Sequence, residues 1–316
     1  MTQQHVPQPA AASLRENSRA EAPGLCFIGI GEVGYHWLRS LRDAGYPAEK
    51  LVVLYLDHGG RSDAAAQRAA ELGVALVRAP TDLPTTVEYH LHATAPAAAS
   101  AVFAACLPAL RSGQVWVDLN SAGPITKRSV ARDAAARGVD FVDGAIMAPA
   151  WKHGHRTPVW ISGSGAARFA AWGERWGTPT VPLGEQAGTA AQVKMSRSII
   201  VKGLAASLVE GLLLAEMNGI AGPVVESLRG DFGKDLIDTL LRRFVPGTLR
   251  HGERRAMEMD GALELAEESG WEAVTLRSTA TLLSRVGAVG NKDLAADPDN
   301  AMELLSELVA KLRARA

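Results

Sequence analysis

One stretch constrains this chain more than any other: the apolar run Leu25-Cys26-Phe27-Ile28 ends in Gly29-Ile30-Gly31-Glu32-Val33-Gly34. The run reads as a buried strand, and glycines at this spacing read as a tight turn that opens a helix. Each glycine has its own task in such a turn. Gly29 makes the bend, Gly31 lets another molecule approach the backbone, and Gly34 lets the helix lie close to the strand. The first-turn N–H groups, those of Glu32 and Val33 among them, have no intrahelical partner and favour an anion. An ordinary strand, turn and helix is the competing reading, and in a chain with 31 glycines one Gly-x-Gly-x-x-Gly does not decide between them.

The next segments supply the context. Residues 35–45 continue as a helix with Trp37, Leu38 and Leu41 on one face and Gly45 as its stop. A second strand, Leu51-Val52-Val53-Leu54-Tyr55-Leu56, leads into Asp57, 23 positions beyond Gly34. An acid about 20 residues past the glycines is where an adenosine ribose finds its acceptor, so turn and acid together read as a dinucleotide-binding unit. Asp57 repels a 2′-phosphate and favours NAD. Arg61 favours NADP, or else begins the next helix as a solvated residue; the acid tips the expectation toward NAD.

Helices at 61–72, 96–110 and 166–176, with another opening at Pro124, alternate with strands at 74–77, 87–93, 115–119, 139–142, 159–162 and 179–183. That alternation predicts a doubly wound, parallel, Rossmann-like α/β sheet covered on both faces. From Gly188 the strand pattern stops. A long helix to about Asn218 is followed by helical segments near 223–244, 250–269, 271–285 and 298–314. The expected organisation is a disordered polar tail (1–22), a dinucleotide-binding domain (23–185) and an all-helical domain (186–316) joined by the long helix. The tail lacks the apolar core of a secretory signal. No run approaches ~18 uninterrupted apolar residues, so no membrane span is expected. A formal net charge of -1 gives no reason to expect nucleic acid or an anionic membrane as partner. Cys26 and Cys106 lack metal-ligand spacing and read as buried hydrophobes suited to the cytoplasm.

Ligands of open α/β sheets bind beyond the carboxyl ends of the strands. Thr94-Ala95-Pro96 follows the fourth strand, Asn120-Ser121-Ala122-Gly123-Pro124 the fifth, and Asp143 to Pro149 the sixth. Each alone is a plausible helix start or turn; their shared location favours Asn120 and Ser121 as donors to a substrate hydroxyl or carboxylate. Trp151-Lys152-His153-Gly154-His155-Arg156 is basic with no acid nearby, which suits either an anion or a solvated loop. The long helix is apolar nearly all round, yet Lys194, Ser198 and Lys202 recur every four residues and share one face. Snorkelling lysines on a buried helix and a polar stripe in a cleft both account for that face.

On these residues the chain resembles the β-hydroxyacid dehydrogenase superfamily, which includes 3-hydroxyisobutyrate and 6-phosphogluconate dehydrogenases, from residue 24 to the C-terminus. Gly29 to Gly34 matches its cofactor motif, Asp118 to Pro124 looks like its substrate loop, and Gly188 to Lys194 looks like the segment carrying its catalytic lysine. The resemblance implies an NAD(P)-dependent dehydrogenase in which Lys194 moves the hydroxyl proton while Ser198 and Asn120 orient the substrate. Proton transfer by a lysine calls for a depressed pKa, from burial or from a neighbouring cation such as Lys202. It also implies a small anionic substrate near Ser121, Ala122, Met147, His155 and Lys202, a nicotinamide near Thr94, Ala95 and Pro96, and a homodimer through the helical domain.

The sequence departs from the family in three places. Ile146-Met147-Ala148-Pro149 stands where Ser-Gly-Gly commonly holds the substrate carboxylate, Ser198 stands where asparagine is common, and Met257-Glu258 replaces a Lys-Asp pair. The sequence looks closest to a subgroup whose C-terminal helical domain is of unknown function, through Lys194 to Ser198, Lys202-Gly203 and His155 to Pro158. Oxidation coupled to decarboxylation or isomerisation, imine reduction, and non-catalytic dinucleotide sensing are the alternatives.

Overall fold

The computed structural model describes residues 22–56, 62–290 and 300–314. The chain divides into two compact units, Met1–Ala191 and Gln192–Ala316. Asp57, Arg61 and the tail up to residue 21 lie outside the described residues. Ala22, expected in the tail, is buried in the core of unit 1.

Unit 1 is built on one sheet with the strands β1 (Gly24–Ile28), β2 (Leu51–Leu54), β3 (Ala75–Val77), β4 (Val87–His92), β5 (Val115–Asp118), β6 (Asp140–Ile146), β7 (Val159–Ser162) and β8 (Thr180–Pro182). Their order is β3-β2-β1-β4-β5-β6-β7-β8. The six strands from β3 to β6 are parallel neighbours, a Rossmann-like arrangement whose order reverses between β1 and β4. Strand β7 departs from the parallel expectation and pairs antiparallel with β6, Ile146 opposite Val159. The connection from 147 to 158 holds only a single-turn helix and a 3₁₀ turn, so the chain returns beside the strand it left.

Helices α1 (Glu32–Asp43), α2 (Ser62–Leu72), α3 (Ala99–Cys106), α4 (Pro124–Ala136), α5 (Ala150–His153) and α6 (Ala166–Trp176) cover both faces. Strand β1 shows why both must be covered, because its side chains alternate and all are apolar. Leu25 and Phe27 pack with Trp37, Leu38 and Leu41 of α1 and with Phe169 and Trp172 of α6. Cys26 and Ile28 pack on the other face with Val102 and Phe103 of α3, Trp116 of β5 and Val130 of α4. Burying one such large side chain stabilises the fold by about 1.5–3 kcal/mol. Burial also pushes both thiols up, Cys106 to about 12, which leaves the cysteines as inert core residues.

Helix α7 (Thr189–Met217) leads into unit 2, where α8 (Ala221–Phe232), α9 (Lys234–Met257), α10 (Asp260–Glu268), α11 (Val274–Gly290) and α12 (Ala301–Arg313) follow. Val209, Leu212 and Leu213 of α7 share a core with Ile237, Leu241 and Val245 of α9, Val286 of α11 and Leu304, Leu305 and Leu308 of α12. The break expected between 244 and 250 does not fall at Pro246 but is displaced to a kink at His251. Helix α9 runs through Pro246, buried at Phe244, Val245, Pro246 and Leu249, and only His251 (φ -126°) leaves helical geometry. Gly233 (φ +84°) makes a further break, between α8 and α9.

Among the described residues α7 is the one helix long and apolar enough to cross a membrane, with 29 residues and a mean hydropathy of 1.8 in its most apolar window. Lys194, Arg197, Lys202 and Glu210 interrupt its apolar run. Its first turn is held by the side chains of Asp143 and Ser162, and Val209, Leu212 and Leu213 in its second half lie in the core of unit 2, while 39% of its most apolar window is buried.

Candidate functional site

The glycine turn lies where the strand order reverses. Gly29 has φ +90°, and its N–H bonds to the Leu54 carbonyl at 3.1 Å, fixing the turn to β2. A Cβ on Gly34 would sit 2.3 Å from the Gly29 carbonyl oxygen, so only glycine lets α1 lie this close to the turn. Gly31 differs from both: a Cβ there would meet nothing within 4 Å. Open space therefore stands over the N-terminus of α1, where N–H groups lack intrahelical partners. Ile30 is buried and its carbonyl accepts from Arg68 at 2.9 Å, Val33 packs against the core, and Glu32 is exposed in the first turn. Across the reversal a Cβ on Gly29 would meet the Thr94 methyl at 3.1 Å, while Ala95 and Pro96 are exposed.

From Thr94 a line of buried polar groups runs behind the carboxyl ends of β4, β5 and β6. Asn120 Oδ1 accepts the Ala122 N–H at 2.9 Å, so the amide nitrogen of Asn120 faces His92 Nδ1 at 3.3 Å and donates to it. The ring proton then belongs on Nε2, 2.6 Å from Thr94 Oγ1. Burial lowers His92 to about 4, against the opposing pull of Asp118, so the ring is neutral as the network requires. Asp118 Oδ1 accepts the Asn120 N–H at 3.2 Å and lies 2.9 Å from Lys127 Nζ. Lys127 is buried and donates to the carbonyls of Asp118 and Asn120 at 2.8 and 3.0 Å, with Asp143 Oδ1 at 3.6 Å.

Asp143 Oδ2 accepts the Ala191 N–H at 2.9 Å and the Ser162 hydroxyl at 3.3 Å, and Ser162 Oγ accepts the Ala190 N–H at 3.1 Å. Side chains from β6 and β7 thus satisfy N–H groups in the first turn of α7. Burial raises the Asp143 carboxyl above its ordinary range, with Lys127 and the Ala191 N–H working against that rise.

In unit 2, α7 presents Lys194, Ser198 and Lys202 on one face, with Ser198 half-buried and Lys202 buried. Glu258, just past the end of α9, faces them and holds Lys202 Nζ at 2.8 Å. Burial works to raise the Glu258 carboxyl, but Lys202, Lys194 and Arg254 together hold it below its ordinary range. Burial lowers Lys202, with Glu258 opposing. The Lys202 ammonium, expected near the substrate, is therefore buried and paired with Glu258.

Two other expectations change. His155 is 1% exposed, and its ring nitrogens bond Ser40 Oγ at 2.7 Å and the Trp176 carbonyl at 2.9 Å, which leaves neither for a substrate. Asn120, expected as a substrate donor, is buried with its amide tied to Ala122 and His92. Ser121 is half-buried, Ala122 is buried, and Met147 is half-buried with its N–H bonded to the Pro158 carbonyl at 3.0 Å.

Sequence reasoning missed Lys127. Asp118 at the end of β5 and Asp143 within β6 are register partners on adjacent strands, and two carboxylates buried side by side require a cation nearby.

The chain is similar to known proteins over both units. Residues 24–164 match the family described as the NAD binding domain of 6-phosphogluconate dehydrogenase, and residues 215–286 match a domain of unknown function, DUF1932. An uncharacterized 28.5 kDa protein in the 7S RNA 5′ region of Methanothermus fervidus is 28% identical over 237 residues, 74% of this chain and 86% of that protein. The crystal structure of a conserved hypothetical protein from Sinorhizobium meliloti 1021 is 28% identical with a TM-score of 0.71, covering 92% of this chain and 98% of that one. The 3-hydroxyisobutyrate dehydrogenase of Mycobacterium tuberculosis shares the fold, with a TM-score of 0.70 at 16% identity over 92% of this chain and 99% of that one.

Proposed function

Because the chain belongs to the 6-phosphogluconate dehydrogenase-like proteins, joining an NAD-binding domain of that type to a DUF1932 domain, we propose that it is an NAD(P)-dependent oxidoreductase acting on a small polar hydroxy acid or sugar-acid-like substrate. The observation that carries this reading is the open space over Gly31, framed by Gly29 and Gly34, which fits a pyrophosphate at the N-terminus of α1. When bound, a nicotinamide cofactor supplies or accepts the hydride. Lys194 takes the hydroxyl proton as the carbonyl forms and returns it in reduction. Ser198, one turn further along α7, orients the substrate, and Glu258 positions the polar face of the helix through Lys202. Asp143 and Ser162 fix the start of the helix that carries the lysine.

Fluorescence titration with NADH and NADPH, followed by turnover assays on a panel of hydroxy acids, tests the reading. Gly31→Val is expected to weaken cofactor binding at least about tenfold, about 1.4 kcal/mol. Its unfolding midpoint should hold, because the added Cβ meets no protein atom within 4 Å. Lys194→Ala is expected to bind cofactor normally and to lose turnover at least about a hundredfold. Undiminished binding by Gly31→Val overturns the cradle, and undiminished turnover by Lys194→Ala overturns the lysine's role. Cofactor binding without turnover by the wild type on any hydroxy acid leaves a sensor in place of a dehydrogenase.

The reading extends to a homodimer through unit 2. Ile200, Leu204 and Leu214 are 64%, 57% and 63% exposed, and at 100° per residue they fall within about 80° on one face of α7. An apolar face of this kind is what a second copy of the chain would cover. Light scattering on the eluting protein is expected to give twice the chain mass, and Ile200→Asp/Leu214→Asp is expected to give the monomer. A monomeric wild type rules the pairing out.

A further inference from the structure

A second concave surface of unit 1 lies away from the glycine turn, between the later turns of α1 and the connection from β6 to β7. It encloses about 520 Å³ and is lined by His36, Arg39 and Asp43 of α1 and by Lys152, His153 and Arg156 of the connection, with Trp151 beside them. Three cations, Arg39, Lys152 and Arg156, and two imidazoles thus share one concavity with one carboxylate, in a chain whose formal net charge is -1. Bringing like charges together in a fold is unfavourable, and native surfaces usually intersperse acids among them. Here Arg39, Lys152, His153 and Arg156 have no ion pair with a carboxylate among the described residues.

The surface is also built on a fixed support. Gly154 (φ +56°) brings the connection so close to α1 that a Cβ would stand 2.2 Å from the Ser40 Cβ. His155 locks the same turn by bonding Ser40 on one side and the Trp176 carbonyl on the other. Lys152, His153 and Arg156 therefore project from a backbone already held against the helix that carries His36 and Arg39, which lowers the entropy lost when a ligand joins them. Trp151, 62% exposed beside these cations, offers an apolar face at the same place.

We infer that this surface is a second anion site of unit 1, separate from the N-terminus of α1, and that it takes the phosphoryl group of a phosphorylated small molecule. Arg39 and Arg156 supply forked donors suited to phosphate oxygens, Lys152 adds a point charge, and His36 and His153 add further N–H donors. Binding relieves the mutual repulsion of the cations, so it weakens as salt rises. The inference does not depend on the proposed oxidoreductase activity.

Calorimetric titration of inorganic pyrophosphate into the full chain at low ionic strength, with Trp fluorescence read in parallel, tests it. With the chain saturated with NADH, so that the N-terminus of α1 is filled, one binding event is expected that weakens at least tenfold in Arg39→Ala/Lys152→Ala/Arg156→Ala. These side chains are exposed, and the triple variant should remain folded by circular dichroism. A triple variant that fails to fold is replaced by Lys152→Gln/Arg156→Gln, for which the same weakening is expected. Trp151→Phe is expected to remove most of the fluorescence change while binding persists. No heat of binding, binding retained by the charge variants, or binding abolished by NADH overturns the assignment.

Discussion

Taking the protein from pH 6.5 to pH 4 is expected to remove about 5 kcal/mol from the stability of unit 1. The two groups responsible are His90 and His92, each lowered by burial from 6.5 to about 4. Between those values the unfolded chain binds protons that the folded chain refuses, so stability falls with pH. Over that range each histidine accounts for about 2.5 kcal/mol. His90 stacks on Trp116 in the apolar face of the sheet, and neither ring nitrogen has a hydrogen-bond partner. His92 needs Nδ1 as an acceptor for Asn120, so protonating it breaks the line that runs to Thr94. Asp143 acts in the opposite sense: its raised carboxyl takes up a proton in the fold first and offsets part of the loss. Urea unfolding followed by Trp fluorescence at pH 4 to 7 reads unit 1, which holds six of the seven tryptophans. His90→Phe is expected to keep or raise stability at pH 7 and to flatten the acid slope by about half. A slope unchanged in that variant removes His90 from the account.

The two histidines show where the sequence speaks and where it falls silent. The strand, turn and helix around Gly29 to Gly34 were legible because the requirement is local: a bend with positive φ, an open backbone, and a helix pressed against a carbonyl each select glycine. The alternation of strands with helices, and the change to helices alone after Gly188, were legible for the same reason. Strand β7 was misread in direction because its pairing depends on how a connection returns, not on the four residues that form it. His155 looked like an anion ligand because it lies among cations in sequence, yet folding turns it inward to Ser40 and Trp176. Asn120 looked like a donor for the same kind of reason, and the structure ties it to its own loop. The face shared by Lys194, Ser198 and Lys202 was readable from helical spacing. That Glu258 would neutralise one of its lysines was not, because 56 residues separate that pair.

Lys127→Met is expected to cost about 3–5 kcal/mol, the usual loss when one member of a buried charge network is removed. Methionine fits the space of the lysine stem, so the effect measures charge rather than packing. Without the ammonium, Asp118 and Asp143 face each other as register partners on adjacent strands, both fully buried, with no cation between them. One of them must then take up a proton, and Asp143, already raised by burial, is the one expected to do so. The deficit of the variant should accordingly shrink as pH falls, because a proton bound by the folded state adds stability below its raised pKa. Asp118→Asn/Lys127→Met/Asp143→Asn removes the charges together and is expected to recover most of the loss, since a neutral buried set carries no unpaired ion. In that triple variant an amide oxygen at position 143 can still accept the Ala191 N–H. Hydrogen exchange separates the consequences. Loss of charge balance in Lys127→Met should loosen the Asp143 clamp and speed exchange at Ala190 and Ala191, whereas the triple variant should protect both. A single variant as stable as wild type, with slow exchange at those two amides, would mean that the start of α7 is held without the buried lysine.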